Sequence, residues 1–503
     1  MLCAVITGPT YAKALEQIDR SSQLVDLLEF RLDLFSVFTL DHIKALLQHA
    51  PIPVIFTLRS ASQGGCFVGT ETERLVLLKQ LISLCPHYLD LEYTLEPQFF
   101  ASMREKSPHT KLICSYHNFI ETPLDLMQLY HSLKKMPADI IKIATMANSS
   151  LDGLRMLKLT RQLTQAGETI IGHCMGKLGQ FTRIAGTVFG NHITYASLEE
   201  NLQNAPGQLS IKTLLHTYHY RQLNAETVML GLIGGNVDYS LSHQTHNALI
   251  RKLEAGINAL YVKIQIQTEE LADFFTFAQE LNFHGLSVTM PLKESAIPWT
   301  AHCDPSVDEI KALNTLVLID TGFEGSNTDR TGAMLALSLA TNISQLKGKK
   351  VLILGAGGVA KAIAFELVRR GADLLILNRT PERAAELAAR LGCRSGSLTD
   401  TQLIASENYE ILINCTSVGR GANEIELPIE PQWIIPGTIA MDVIASPKET
   451  SFLKEAKKRN CTLIYGEEMF KFQAIQQFLL WFDLPYTAQE MKELWTTPLQ
   501  NHL

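Results

Sequence analysis

At 503 residues the chain exceeds what one hydrophobic core supports, since domains run about 100 to 250 residues, so two or three domains are expected. Hydrophobic residues at 46% and charged residues at 19% exclude a large disordered fraction, and a net charge of −7 without a Lys/Arg-rich block argues against a nucleic-acid partner. The nine cysteines are scattered singly, with no C-x-x-C and no Cys/His cluster, which points away from disulfides and metal sites and toward a reducing cytoplasm.

Residues 2–7, LCAVIT, closed by Gly8-Pro9, predict a first strand rather than a signal peptide. No apolar run reaches the about 18 residues of a membrane span. Up to about residue 220, strand-like runs alternate with helical periodicity. The strands are LCAVIT, LLEFRLDL, PVIFTLR, YLDLEY, KLICSY, DIIKIAT, TIIGHC and ITYAS, and the last is followed by the helix-like LSIKTLLHTYHY. Eight β-α units predict a closed (β/α)8 TIM barrel over residues 1–220.

Barrel strands are buried on both faces, so charged residues inside them need a reason. Glu29, Arg31 and Asp33 share one strand face, Asp90 and Glu92 another, and Arg59 ends a third. Lys142 lies between isoleucines, and Ser115 and His117 end the strand before it. Any one of these reads equally well as a salt-bridged residue at a barrel end. Several on neighbouring strands read as a site. A desolvated lysine is nucleophilic near neutral pH and can attack a ketone to give an iminium ion, which acidifies the adjacent C–H. His117 is suited to take that proton and return it to a leaving hydroxyl, with an acid such as Glu92 orienting it.

The stretches EFRLD, TLRS followed by QGG, YLDLEY, SYHNF, IIKIATM, MGKLGQFTRI and APGQL resemble, as an ordered set over residues 1–215, the type I 3-dehydroquinate dehydratases. The resemblance implies that Lys142 forms a Schiff base with the C3 ketone of 3-dehydroquinate. It further implies His117 as base and acid, Glu92 as its partner, Arg183 as carboxylate anchor, and Glu29, Arg31, Arg59 and Gln208 as substrate contacts. One departure is Asn204, where the family usually has Ser before APGQ.

After Asn224 the pattern restarts with VMLGLIGG, and ALYVKI, GLSVTM and NTLVLI mark a small α/β unit over residues 227–335. Residues 465–495 are helical and are expected to complete it. Between them, residues 336–464 open with the strand-turn-helix of a Rossmann-like dinucleotide-binding domain. Gly355-Ala356-Gly357-Gly358-Val359-Ala360 follows a strand and starts a helix, so its N–H groups can hold a pyrophosphate. An NAD site places an acid about 20 residues on, after the second strand. Here stand Asn378, Arg379 and Thr380, which suit a 2′-phosphate and predict NADP.

The segments S-L-S with Ser240 and Ser242, VTMPLKE with Thr289 and Lys293, N-T with Asn314, and SNTD with Asp329 resemble the shikimate dehydrogenases. So do NCTSVG, which contains Thr416, Ser417 and Val418, and GEEMFKFQA, which contains Gln473. The resemblance, over about 229–485, implies Lys293 and Asp329 as the catalytic pair for proton transfer at the C3 oxygen. Ser240, Ser242, Thr289, Asn314 and Gln473 would hold shikimate, and Thr416, Ser417 and Val418 would join the cofactor site. His243 replaces a usual Pro and Ala445 a common Tyr.

The two resemblances together imply consecutive steps, from 3-dehydroquinate through 3-dehydroshikimate to shikimate. Two rival readings exist: an aldolase-type Schiff-base barrel fused to the dehydrogenase, and a regulatory sensor that has lost catalysis. His117 beside Lys142 with Arg183 disfavours the first, and the presence of Lys142, His117, Lys293 and Asp329 disfavours the second.

Overall fold

Eight parallel strands follow one another in chain order: β1 (Leu2–Ile6), β2 (Leu27–Arg31), β3 (Val54–Thr57), β4 (Tyr88–Glu92), β5 (Lys111–Asn118), β6 (Ile140–Met146), β7 (Ile170–Met175) and β8 (Thr194–Ala196). The computed structural model describes residues 1–200, 205–253, 256–341 and 345–495, without the side chain of residue 422. These form two compact units. One comprises Met1–Leu232, Val237–Ile250 and Asn258–Phe283; the other comprises Ile233–Asn236, Arg251–Ile257 and His284–Leu503.

In the first unit β1 pairs with both β2 and β8, so the parallel sheet curls into a nearly closed barrel. Full closure was the sequence expectation, but among the described residues β7 and β8 share no ladder. With only three residues, β8 is too short to pair on both sides. Asn191 bridges the seam instead, its side chain accepting from Gly172 N–H at 2.8 Å and donating to Ile193 O at 2.9 Å.

Polar caps set the starts of the outer helices. Thr10, Thr39, Asp125 and Ser210 each accept a first-turn N–H, and Thr70 with Glu73 and Ser149 with Asp152 form capping boxes. Inside the barrel Cys3, Val5, Leu27, Ile55, Ile113, Ile140, Ile171 and Ile193 make an apolar layer. Two residues further along the strands the same face turns polar, with Glu29 after Leu27, Thr57 after Ile55, Ser115 after Ile113 and Lys142 after Ile140. The apolar layer is the floor of a cavity and the polar layer its wall.

A second sheet has strands β9 (Val228–Gly234), β10 (Ala259–Gln265), β11 (Phe283–Val288), β12 (His302–Cys303), β13 (Thr315–Ile319) and β14 (Gly322–Ser326), in the order β10-β9-β11-β13-β14-β12. Strand β9 itself passes from the first unit into the second. Strand β13 is the NTLVLI of the sequence reading, whereas its hairpin partner β14 and short β12 are absent from it, because GFEGS carries two glycines and no β-branched residue.

The third sheet is all parallel, with β15 (Lys350–Leu354), β16 (Asp373–Asn378), β17 (Arg394–Ser397), β18 (Ile411–Asn414), β19 (Ile439–Asp442) and β20 (Thr462–Ile464) in the order β17-β16-β15-β18-β19-β20. This is a doubly wound arrangement whose order reverses beside β15, where such sheets bind dinucleotides. The helix Gly466–Trp481 returns to β13, Gln477 Nε2 donating to Asn314 O and Trp481 Nε1 to Leu316 O, both at 3.0 Å. No helix among the described residues is long and apolar enough to cross a membrane.

Candidate active sites

A cavity in the first unit is lined by seven of the residues that the sequence singles out: Glu29, Arg31, Arg59, His117, Lys142, Arg183 and Gln208. Lys142 Nζ donates to Asp90 Oδ2 at 3.1 Å, lies 3.9 Å from Glu29 Oε1, and stands 4.1 Å from the centroid of the Tyr195 ring. Lys142 is buried, as expected of a desolvated lysine, and is paired with acids of β2 and β4 that the sequence places on the same inward face. Arg59 binds the other Asp90 oxygen at 2.9 Å and donates to Ser115 Oγ at 2.7 Å. Burial opposes ionisation of Asp90, yet Arg59, Lys142 and His117 together hold its carboxyl well below the usual range.

His117 is kept well below the usual imidazole range by burial first, then by Arg59 and Lys142. Its ring is neutral and Nδ1 has no partner. Glu92 is not its partner. That carboxylate accepts from Ser60 N–H at 2.7 Å and Ser60 Oγ at 2.8 Å and pairs with buried Arg74 at 3.1 Å, so the sequence assignment of Glu92 to His117 is corrected. Arg74 lies on the helix Glu71–Leu81 and reaches back under the strand end, which helical periodicity does not reveal. The residue that meets His117 is Gln63, whose Oε1 accepts the His117 backbone N–H at 3.3 Å.

Arg183 is 2% exposed, and its Nε and Nη2 have no partner. Burial without a counter-charge pushes the guanidinium down to about 10. An unpaired buried cation at the wall of a cavity is an anion site awaiting its anion. Arg31, by contrast, is tied to Asp33 at 2.8 Å. His173 and Tyr195 also line this cavity, and the sequence reading names neither, although both lie in its strands TIIGHC and ITYAS. Their signal was the same period of two that exposed Lys142. Asn204 falls outside the described residues.

In the second unit Lys293, on the helix Leu292–Ser295, donates to Asp329 Oδ2 at 2.5 Å. Asn314 Nδ2 donates to Asp329 Oδ1 at 2.9 Å and to Gln473 Oε1 at 3.3 Å. Thr289 follows β11 and is half-buried. Four of the expected site residues, Lys293, Asp329, Asn314 and Gln473, are thus joined by hydrogen bonds, drawn from three helices and one loop. Ser240 and Ser242 belong to the first unit, where the Ser240 hydroxyl donates to that of Ser242 at 2.8 Å. Beside them His243 stacks on Tyr218, its ring centroid 6.0 Å away.

Gly355 follows β15 at φ +110°, a conformation glycine favours, and a Cβ there would meet Cys415 O at 3.0 Å. Gly357 caps the helix Gly358–Arg369 with open space where a Cβ would stand, and Ala356, Val359 and Ala360 complete the turn. A Cβ at Gly358 would meet Lys293 Cδ at 3.2 Å. Asn378 at the end of β16 donates to Thr380 O at 2.9 Å, leaving Arg379 exposed and without an ion pair among the described residues. After β18, Thr416 donates both its N–H, at 3.0 Å, and its hydroxyl, at 2.7 Å, to Asn414 Oδ1, and Val418 N–H donates to Thr416 Oγ1 at 3.2 Å, turning the chain around Ser417. Behind this turn is buried Asp442, pushed up to about 6 by burial. A bare helix N-terminus, a glycine turn with room above it and an unpaired arginine fit a phosphorylated dinucleotide.

The type I 3-dehydroquinase family matches residues 2–225, the shikimate dehydrogenase substrate binding domain residues 232–316, and the shikimate / quinate 5-dehydrogenase family residues 338–421. The Shikimate biosynthesis protein AroDE of Chlamydia pneumoniae is 35% identical, covering 96% of this chain and 95% of that protein. The chain belongs to the bifunctional 3-dehydroquinate dehydratase/shikimate dehydrogenase family. A chloroplastic member from Arabidopsis thaliana is 33% identical over 96% of this chain and 82% of its own length. A solved shikimate dehydrogenase in complex with NADP+ aligns with 54% of this chain and 95% of its own, at 33% identity and a TM-score of 0.50. As a member of this family the chain is both a lyase and an NADP-dependent oxidoreductase of the shikimate pathway.

Proposed function

We propose that the first unit dehydrates 3-dehydroquinate through a Schiff base on Lys142, and that Lys293 and Asp329 then serve the reduction of 3-dehydroshikimate to shikimate. The observation that carries the first part is the unpaired, buried Arg183 guanidinium in the cavity that holds Lys142 and His117. With the substrate carboxylate on Arg183, the C3 ketone comes to Lys142. Nζ bonds to C3, and the carbonyl oxygen leaves as water. Asp90, ionised and 3.1 Å away, balances the iminium charge. His117 takes the C2 proton and returns it to the departing C1 hydroxyl. Glu29, Arg31, Arg59 and Gln208 surround the ring.

In the second unit the residues proposed to hold NADP are Gly355, Ala356, Gly357, Gly358, Val359 and Ala360 at the pyrophosphate, Asn378, Arg379 and Thr380 at the 2′-phosphate, and Thr416, Ser417 and Val418 beside them. Bound NADPH supplies a hydride to C3. Lys293 delivers the proton to the C3 oxygen, and Asp329, fixed by Asn314 at 2.9 Å, keeps the ammonium aimed. Thr289, Asn314 and Gln473 contact shikimate, while the role given to Ser240 and Ser242 rests on the sequence resemblance alone. The proposed domain limits are 1–220, 227–335 with 465–495, and 336–464. A cytoplasmic location accords with nine free cysteines.

The test incubates the whole chain with 3-dehydroquinate and NADPH, following enone absorbance and NADPH oxidation together. Wild type should consume NADPH, Lys142→Ala should form no enone, and Lys293→Ala should accumulate it. A wild type that forms no enone overturns the barrel reading.

A further inference from the structure

Two imidazoles stand at one level of the barrel wall. Ala144 on β6 pairs with His117 on β5 at one side and with His173 on β7 at the other. Adjacent strands are about 4.8 Å apart, which puts the two histidine Cα atoms roughly 10 Å apart. Lys142 is two residues before Ala144 on the strand between them, facing the same way. His173 is 5% exposed, borders the cavity, and its ring makes no hydrogen bond to the described residues. Buried polar rings normally have a partner. One that looks into a substrate cavity without a protein partner is placed to find it on the substrate.

The surroundings of His173 say which part of the substrate it meets. Arg183 and Lys142 are the charges that bear on it, and the Tyr195 ring centroid is 6.2 Å away. In 3-dehydroquinate the carboxylate and the hydroxyl to be lost share C1, the ketone is C3, and C2 joins them. With the carboxylate on Arg183 and C3 on Lys142 Nζ, a group set between those two cations faces C1. His117, across β6, faces the C2 hydrogen from the other flank.

We propose that His173 donates a hydrogen bond to the C1 hydroxyl as it leaves, an inference that rests on the Schiff-base reading of the barrel. His117 takes the C2 proton, and the C–H electron pair makes the enamine. The enamine electrons then form C1=C2 and expel the C1 oxygen, which takes the proton from His117 and departs as water. His173 keeps its own proton throughout and stabilises the negative charge that grows on the departing oxygen. A neutral imidazole carries the single N–H this needs. Burial, then Arg183 and Lys142, hold His173 well below the usual imidazole range, so it is neutral.

The experiment compares His173→Met and His173→Gln with wild type in the full chain, by enone kinetics and by borohydride trapping of 3-dehydroshikimate on Lys142, read by intact mass. His173→Met should trap as fully as wild type while its dehydration kcat falls at least about tenfold, the cost of one lost hydrogen bond to a charged atom. His173→Gln, which restores an N–H, should recover to within a few-fold of wild type. If His173→Met keeps kcat within twofold of wild type, the proposal is wrong. It is equally wrong if trapping and turnover fall together and His173→Gln is no better, since His173 is then a packing residue. A wild type that traps no adduct overturns the Schiff-base reading itself, and this inference with it.

Discussion

Replacing Arg183 with methionine should stabilise the first unit and cripple its substrate binding. The guanidinium is 2% exposed, has two nitrogens without partners, and is pushed below the usual arginine range to about 10 by burial. At about 1.4 kcal/mol per pH unit, that lowering corresponds to roughly 3 kcal/mol of strain in the ligand-free fold. Methionine keeps most of the aliphatic stem, so a net gain of about 1–3 kcal/mol is expected once lost packing is deducted. Two charge-assisted hydrogen bonds to a carboxylate, at about 1.5–3 kcal/mol each, put the rise in KM for 3-dehydroquinate at about a hundredfold or more. Hydrogen exchange on peptides covering β5 to β7 measures the first quantity, and enone kinetics the second. The product should protect the wild type against exchange and leave the variant unchanged. A variant less stable than wild type, or one whose KM stays within threefold, refutes the idea that Arg183 is an unpaired charge waiting for a carboxylate.

Asp329→Asn should lower dehydrogenase kcat by about two orders of magnitude or more through loss of the Lys293 pair, and leave dehydration of 3-dehydroquinate untouched; paired assays on one preparation check this. Arg379→Leu should raise KM for NADPH about tenfold or more and leave NADH kinetics unchanged, since only the 2′-phosphate distinguishes them; equal changes with both coenzymes would remove Arg379 from the phosphate site. Burial raises the Asp442 carboxyl to about 6, above the usual carboxylate range, so the folded chain holds this proton longer than the unfolded one. Its contribution to stability is then full below about pH 4 and declines by up to about 3 kcal/mol as pH rises through about 6. Asp442→Asn should lack this decline, and urea midpoints for both proteins at pH 4.5 and 7 measure the difference.

The charged, inward face of the barrel strands was legible because a strand repeats every two residues, so Lys142, His117 and Glu29 declare their side without coordinates. Which acid serves which base was not. Asp90 and Glu92 share one face of β4, and only the packing of Arg74 from an outer helix decides that Glu92 is taken and that Asp90 is left for Lys142. Arg183 could be named from its motif, but its lack of a partner is a property of the cavity. His173 and Tyr195 stand singly in otherwise apolar strands, so nothing in the pattern beyond their side of the strand set them apart as site residues. In the second half, Lys293, Asp329 and Asn314 come from two helices and a loop separated in sequence, whose local patterns carry no distance information, so their hydrogen bonds emerge only from the fold. The nucleotide turn was readable in full, because strand, glycines and helix are contiguous.

Gly358 has a bearing on how cofactor choice and proton transfer can evolve. A methyl on the first residue of the helix after the nucleotide turn would stand 3.2 Å from the Lys293 side chain, close enough that the lysine would have to shift by a few tenths of an ångström. The turn proposed to cradle the coenzyme and the proposed proton donor therefore lie close together. A larger residue at this position would press on the lysine, whereas exposed Arg379 can vary at a distance from it.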